Sequence, residues 1–257
     1  MGAKEKYEGH AAEQSQKLHD WLKVRFNLND VKSDGSNRTK VDLIGQTSKS
    51  TLFYSCKNVS GCNTQIHLTS LEALQKALDM PSNIYETFRR WFGSHNEILF
   101  ETWKSELSVQ LSNTEQRRHR IHSNNLTNWN SVLDWLNQNT SNKKLIKLLI
   151  QNLNPNEHLK NVNYMIWIHK LQHTIKIIDV EKLIDYISVN CIWMNSVVER
   201  GKYTTLWLVD TNTGQRIMHL QMKGSGNKLG DYHGAMFHIH DNWPPGVLIE
   251  EESNFYI

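Results

Sequence analysis

Three shortages narrow what this chain can be. Cysteine is scarce: Cys56, Cys62 and Cys191 are an odd set in 257 residues. That fits reduced thiols in a cytoplasm better than a disulfide framework. The Cys56–Cys62 spacing does not match a zinc knuckle. Long apolar runs are missing, and no stretch approaches the roughly 20 residues that span a bilayer. The opening "MGAKEKYEGH" is polar, without the apolar core of a secretion signal, and Lys6 breaks the myristoylation pattern. The expectation is a cytoplasmic chain with no membrane partner. Net charge is small as well: +3 permits a polyanionic partner without demanding one. There is no internal repeat and no low-complexity linker. What remains is an ordinary globular composition, 39% hydrophobic and 21% charged. It is long enough for one sizeable domain or two small ones that share a core.

Periodicity gives a mixture of helices and strands. "HAAEQSQKLHDWLKVRF" places Ala11, Leu18, Trp21, Leu22 and Phe26 on one helical stripe. "TSLEALQKAL" reads as a helix with Thr69 or Ser70 as its cap. Helical patterns continue through "YETFRRWF", "EILFETWKSELSVQL", "NWNSVLDWLNQ" and "KKLIKLLIQNL". "NYMIWIHKLQ" predicts a strand and "VEKLIDYIS" a helix. "KYTTLWLVDTNTGQRIMHLQMK" predicts a hairpin around the turn residues "DTNTG", and "GAMFHIH" a final strand. Strict βαβ alternation is lacking, so the expected fold is α/β of the mixed α+β kind, a central mixed sheet flanked by helices.

The segment "KVDLIGQTSKSTLFYSCK", residues 40–57, carries chemistry at both ends. It reads as two strands around a loop at 47–50. Residue 46 then faces 51, and the same register brings 42 opposite 55. Strand side chains repeat every two residues, so Asp42, Ser55 and Lys57 share one face, with Thr51 and Phe53 toward the loop. Leu52, Tyr54 and Cys56 face the other way. An acid and a lysine so placed suit phosphodiester hydrolysis. Asp42 can hold a hard divalent cation, and Lys57 can orient a water and stabilise the pentavalent oxygens. The same two residues also make an ordinary surface ion pair of little energetic weight.

An acid on one strand followed by acid-x-lysine on the next resembles the PD-(D/E)xK nuclease superfamily. Here the pattern is Asp42, twelve intervening residues, then Ser55-Cys56-Lys57. "GHAAEQSQKLHDWL" is similar to the Gly-x-x-x-Glu helix that precedes this hairpin in many restriction endonucleases, with Glu13 on its glutamate. "KNVSGCNTQIH" is similar to the Ser/Gly/Asn/Gln segment of the small monomeric MspI-like and GCGC-cutting enzymes. "RRHRIHSNNLTNWNSVLDWLNQ" resembles their basic turn and helix, and "RIMHLQMKGSGNKLGDYHGAMFHIH" their strand, Gly-rich loop and strand. The resemblance runs over residues 9–240 in matching order, and it departs at Ser55, where the superfamily usually carries an acid.

The resemblance implies a restriction-endonuclease-like core. It implies an Mg²⁺-dependent type II endonuclease cutting a short palindromic, GC-containing site in double-stranded DNA, as a monomer. Residues 1–110 would carry the nuclease core and 111–257 a recognition part sharing that core, a single compact unit being the alternative. Asp42 and Glu13 would serve the metal, Lys57 would act as the water-orienting base or phosphate clamp, and Ser55 would be a weak or water-mediated ligand. A nicking or repair nuclease of the same superfamily, or a catalytically degenerate DNA-binding protein, stays open.

Further candidates concern DNA contact. Gln65 follows a Gly/Cys/Asn turn and would probe DNA near the cut; otherwise it is a polar loop residue. Arg117, Arg118 and Arg120 form a basic island that reads equally as a solvated face. Gln221, Lys223, Ser225, Asn227 and Lys228 surround a Gly-rich turn and could read bases, since lysine donates to guanine and Gln or Asn pairs with adenine. A flexible connection without a partner fits the same residues. Among thirteen histidines, His238 and His240 share a strand face with no third ligand in sight. Trp91, Trp103, Trp129, Trp135 and Trp167 lie in amphipathic runs and are expected in the core.

Overall fold

The computed structural model describes residues 14–34, 40–93, 97–117, 119–151, 161–195, 205–223 and 234–256. The chain forms two compact units, each discontinuous in sequence. One takes residues 1–64, 146–186 and 240–257; the other takes 65–145 and 187–239. Strands from three parts of the chain meet in the first unit. The mixed α/β architecture expected from the sequence is the one the chain adopts.

The first unit is built on a six-stranded sheet. Its strands are β1 (Asp30–Ser33), β2 (Leu43–Gln46), β3 (Thr51–Val59), β5 (Tyr164–His169), β6 (Thr174–Asp179) and β11 (Leu248–Ser253), in the order β1-β2-β3-β5-β6-β11. The β3–β5 pair is parallel and the other neighbours are antiparallel, so the sheet is mixed. Helix α1 (Gln16–Phe26) buries Leu18 and Leu22. These meet Leu28, Val31, Leu43, Tyr54, Cys56, Ile166, Ile168, Ile175 and Phe255 in one core. The helix stops at Asn27, whose left-handed φ of 50° suits an asparagine cap. Gly45 is required by packing: a Cβ there would meet Leu28 Cδ1 at 2.7 Å and Tyr54 Cε2 at 3.0 Å. Strand β11 shows that "GAMFHIH" is not the last strand. Its run of three glutamates hid its period, and two of them turn toward α1: Arg25 pairs with Glu250 at 2.8 Å and Glu252 at 2.7 Å.

The second unit carries a five-stranded sheet in the order β4-β10-β9-β8-β7. Its strands are β4 (Asn63–Ser70), β7 (Cys191–Asn195), β8 (Thr205–Asp210), β9 (Arg216–Lys223) and β10 (Gly234–His240). The β8–β9 hairpin sits where "DTNTG" predicts it, with Asp210 carboxylate oxygens accepting from Asn212 N–H and Thr213 Oγ1 at 2.9 Å each. Helix α2 (Leu71–Leu78) begins at Ser70, whose hydroxyl accepts the Ala73 N–H as an N-cap should. Phe88 and Trp91 of α3 (Ser82–Phe92) pack on Trp129 at the start of α6 (Trp129–Ser141), and Phe92 packs on both of them. The five tryptophans expected in the core are all buried. At the sheet's β7 edge, the Asn137 side chain accepts the Trp193 N–H at 2.6 Å and donates to its carbonyl at 3.3 Å. It occupies the hydrogen-bonding groups a further strand would use, one way of blunting an edge.

Candidate active site

The β2–β3 hairpin has the register its sequence predicts. Gln46 opposes Thr51 and Leu43 opposes Tyr54, and the loop closes through Thr47 N–H to Ser50 O at 2.9 Å. The ladder ends at Leu43. Asp42 lies just beyond it, and its N–H donates to Tyr54 O at 2.8 Å, one residue off the extrapolated pairing with Ser55. The side chain restores the expected neighbourhood. Asp42 Oδ2 accepts from Ser55 Oγ at 3.1 Å and from the Cys56 N–H at 2.6 Å, with Lys57 Nζ at 3.9 Å. One carboxylate thus gathers a main-chain donor, a hydroxyl and an ammonium. The Asp42 and Lys57 side chains are 23% and 20% exposed, and Ser55 is 2% exposed. The pair is neither a free surface ion pair nor sealed from a ligand.

Trp167 stands beside Lys57 on β5 and is fully buried, giving the lysine a rigid apolar neighbour on its own sheet face. A second lysine, not singled out from the sequence, also borders the site. Lys40 lies two residues before Asp42 and donates to the carbonyl of Leu149, near the end of helix α7 (Lys144–Ile150). Burial, and then the charge of Lys57, push its ammonium well below the usual lysine range. Its spacing from Asp42 could have drawn notice; its burial against α7 could not.

The donor chemistry at this hairpin fits a hard divalent cation. Asp42 offers carboxylate oxygens and Ser55 a hydroxyl oxygen, and Mg²⁺ takes oxygen ligands. Among the described residues, no group of three or more His, Cys, Asp or Glu could hold a metal.

The other sequence candidates are dispersed. Glu13 lies outside the described residues, as do Arg118, Ser225, Asn227 and Lys228, and the side chains of Arg117 and Lys223 are not described. Gln65 is a half-buried strand residue of β4, not a loop residue. Gln221 is exposed on β9, opposite Thr205 and Met236. Lys223 ends β9 opposite Gly234, two residues along from Gln221. Arg120 departs from expectation. It is 8% exposed, so its guanidinium does not lie on an open basic face. The turn that follows α5 (Asn113–Arg117) draws it in, with Arg120 N–H donating to Glu115 O at 2.9 Å and Ile121 buried behind it. His238 stacks on His219, ring centroids 4.5 Å apart, and burial lowers its pKa.

No protein-family model matches the chain, and no curated protein matches its sequence. Among solved structures, it is similar to the restriction endonuclease MspI in complex with its cognate DNA. That match has 12% identity and a TM-score of 0.45, and covers 91% of this chain and 81% of the other. It is also similar to the HhaI endonuclease in complex with DNA, at 10% identity and a TM-score of 0.31, covering 89% and 91%. At these identities and scores, likeness alone assigns no activity. No helix among the described residues is long and apolar enough to cross a membrane.

Proposed function

We propose that this chain is an Mg²⁺-dependent nuclease of the type II restriction class, hydrolysing phosphodiester bonds at a short palindromic, GC-containing site in duplex DNA. The observation that carries the reading is the convergence of Ser55, Cys56 N–H and Lys57 on the Asp42 carboxylate. A bound Mg²⁺ would neutralise charge on the scissile phosphate and lower the pKa of nearby water. The chain's own groups do the rest. The Cys56 N–H and Ser55 hydroxyl fix the direction of the Asp42 carboxylate. Lys57 orients the attacking water and stabilises the oxygens of the pentavalent phosphorus. Trp167 limits where the lysine can swing. Gln221, exposed on β9, and Lys223, two residues further along the strand, would read base edges. One such hairpin per chain gives one site per monomer, so two strands are cut in sequence.

A second reading follows from Ser55. A neutral residue holds the position of the usual second acid, and the Asp42 oxygen is already engaged by three donors. A DNA-binding protein with a degenerate site would look the same. Purified protein, Mg²⁺ and a defined supercoiled plasmid separate the readings. Discrete fragments preceded by nicked circles support restriction by a monomer. Nicked circles alone indicate a nickase. A retained gel shift without cleavage indicates the binder.

A further inference from the structure

The site has a second acid that the linear pattern does not show. In the β1–β2 ladder Ser33 opposes Leu43, so the next pair is Asp34 and Asp42. The ladder does continue there, with Asp34 N–H donating to Asp42 O at 3.0 Å. Residues directly paired across antiparallel strands share a sheet face, with Cβ atoms about 4.5–5.5 Å apart. Parity agrees. Val31 is buried in the core on the opposite face, so Asp30, Lys32 and Asp34 point to the face that carries Lys57. Asp34 is half-buried, as suits a group at the rim of a site. Along one line across three strands the chain therefore sets Asp34, Asp42 and Ser55.

We propose that Asp34 supplies the second carboxylate of the divalent-cation site, in the role that Ser55 is too short and too neutral to fill. The inference deepens the nuclease reading above and rests on it. A cation at Asp42 alone would sit between one carboxylate and the ammonium of Lys57, with Lys40 bordering the site. A second carboxylate on the neighbouring strand tips that balance toward metal. It also explains how a serine can stand in the acid-x-lysine pattern: the ligand has moved from β3 to the end of β1.

The test is binding of Mn²⁺ alone to the full chain without DNA, by calorimetry or electron paramagnetic resonance. Asp34→Asn should weaken Mn²⁺ binding by about tenfold or more. Adding Ser55→Asp to that variant should restore most of the affinity. In the unsubstituted chain, Mn²⁺ should broaden the Asp34 carboxylate carbon signal together with that of Asp42, a readout that needs no variant to fold. Mn²⁺ binding by Asp34→Asn equal to that of the unsubstituted chain, or a sharp Asp34 signal beside a broadened Asp42, would overturn the assignment of Asp34 and leave the nuclease reading intact. Metal binding that Asp34→Asn weakens, without cleavage of any DNA, would sink the nuclease reading and keep Asp34 as a ligand. No metal binding by the unsubstituted chain would end both.

Discussion

The hairpin at residues 42–57 and the turn at residues 117–122 both carry charged side chains singled out from the sequence, and they treat those side chains in opposite ways. The hairpin keeps its polar groups gathered at the rim of a sheet, where Asp42 and Lys57 stay about one-fifth exposed. In the turn Arg120 is drawn inward: it and Ile121 are buried, and His122 is half-buried with its Nδ1 accepting the Asn124 N–H at 3.2 Å. The difference lies in what places each side chain. A strand alternates its faces by backbone geometry alone, so polar residues two apart remain together wherever the sheet packs. A turn has no such rule, and the neighbours it meets decide which side chains are covered. The lesson is that substitutions in the hairpin should cost function, and substitutions in the turn should cost stability.

The largest expected effect breaks the first half of that contrast. Lys57→Ala should lower the single-turnover cleavage rate by about 10²–10³-fold or more while leaving specific DNA binding and the melting temperature nearly unchanged. Asp42→Asn should do the same and remove the Mg²⁺ dependence of binding. Full activity in either variant would take the hairpin out of the mechanism.

Arg120→Ala probes the other half. The loss of a buried guanidinium should destabilise the chain by about 1–3 kcal/mol in urea melts, with the salt dependence of DNA binding preserved. A salt slope lower by about one unit at unchanged stability would mean that Arg120 meets phosphate after all.

Gly45→Ala should cost about 1–3 kcal/mol of stability, since the new methyl meets Leu28 and Tyr54. It tests whether the hairpin's backbone position, as distinct from its side chains, is held by the core. An unchanged melting temperature would show that Leu28 yields freely.

The smallest effect sharpens the description of the turn. Burial lowers the His122 pKa to about 4, with Glu115 opposing the shift. The unfolded value is about 6.5. Between these values the unfolded chain binds the extra proton, so the stability His122 allows above pH 6.5 is lost as pH falls toward 4. His122→Gln should flatten the melting temperature against pH in that window. A slope identical to that of the unsubstituted chain would place the acid sensitivity elsewhere, the next candidate being His238, whose pKa burial also lowers.

Several elements were legible because local rules govern them. The α2 cap at Ser70, the "DTNTG" turn, the α1 stripe of Leu18 and Leu22, and the hairpin register all follow from spacing within about ten residues. Strands β1, β6, β7 and β11 were not predicted. They are short, and β11 presents glutamates that satisfy Arg25, a partner more than 200 residues away. The alternative of Gln65 as a loop residue overlooked β4 because "NTQIHLTS" has weak alternation and gains its strand from pairing in the sheet.

The sequence by itself determined that Asp42, Ser55 and Lys57 would meet, because the two-residue period of a strand and a short loop leave little freedom over sixteen residues. It determined the core positions of Trp91, Trp103, Trp129 and Trp135 in the same way, through helical spacing. Only the tertiary structure decided that Asp34 stands beside Asp42, that Lys40 is buried against the Leu149 carbonyl, and that Trp167 lines the strand face next to Lys57. Those neighbours come from separate strands and a helix. Their register is set by burying Val31, Leu43, Tyr54 and Ile166 on the opposite face of the sheet, a constraint that acts across the fold and leaves no mark in any one stretch of sequence.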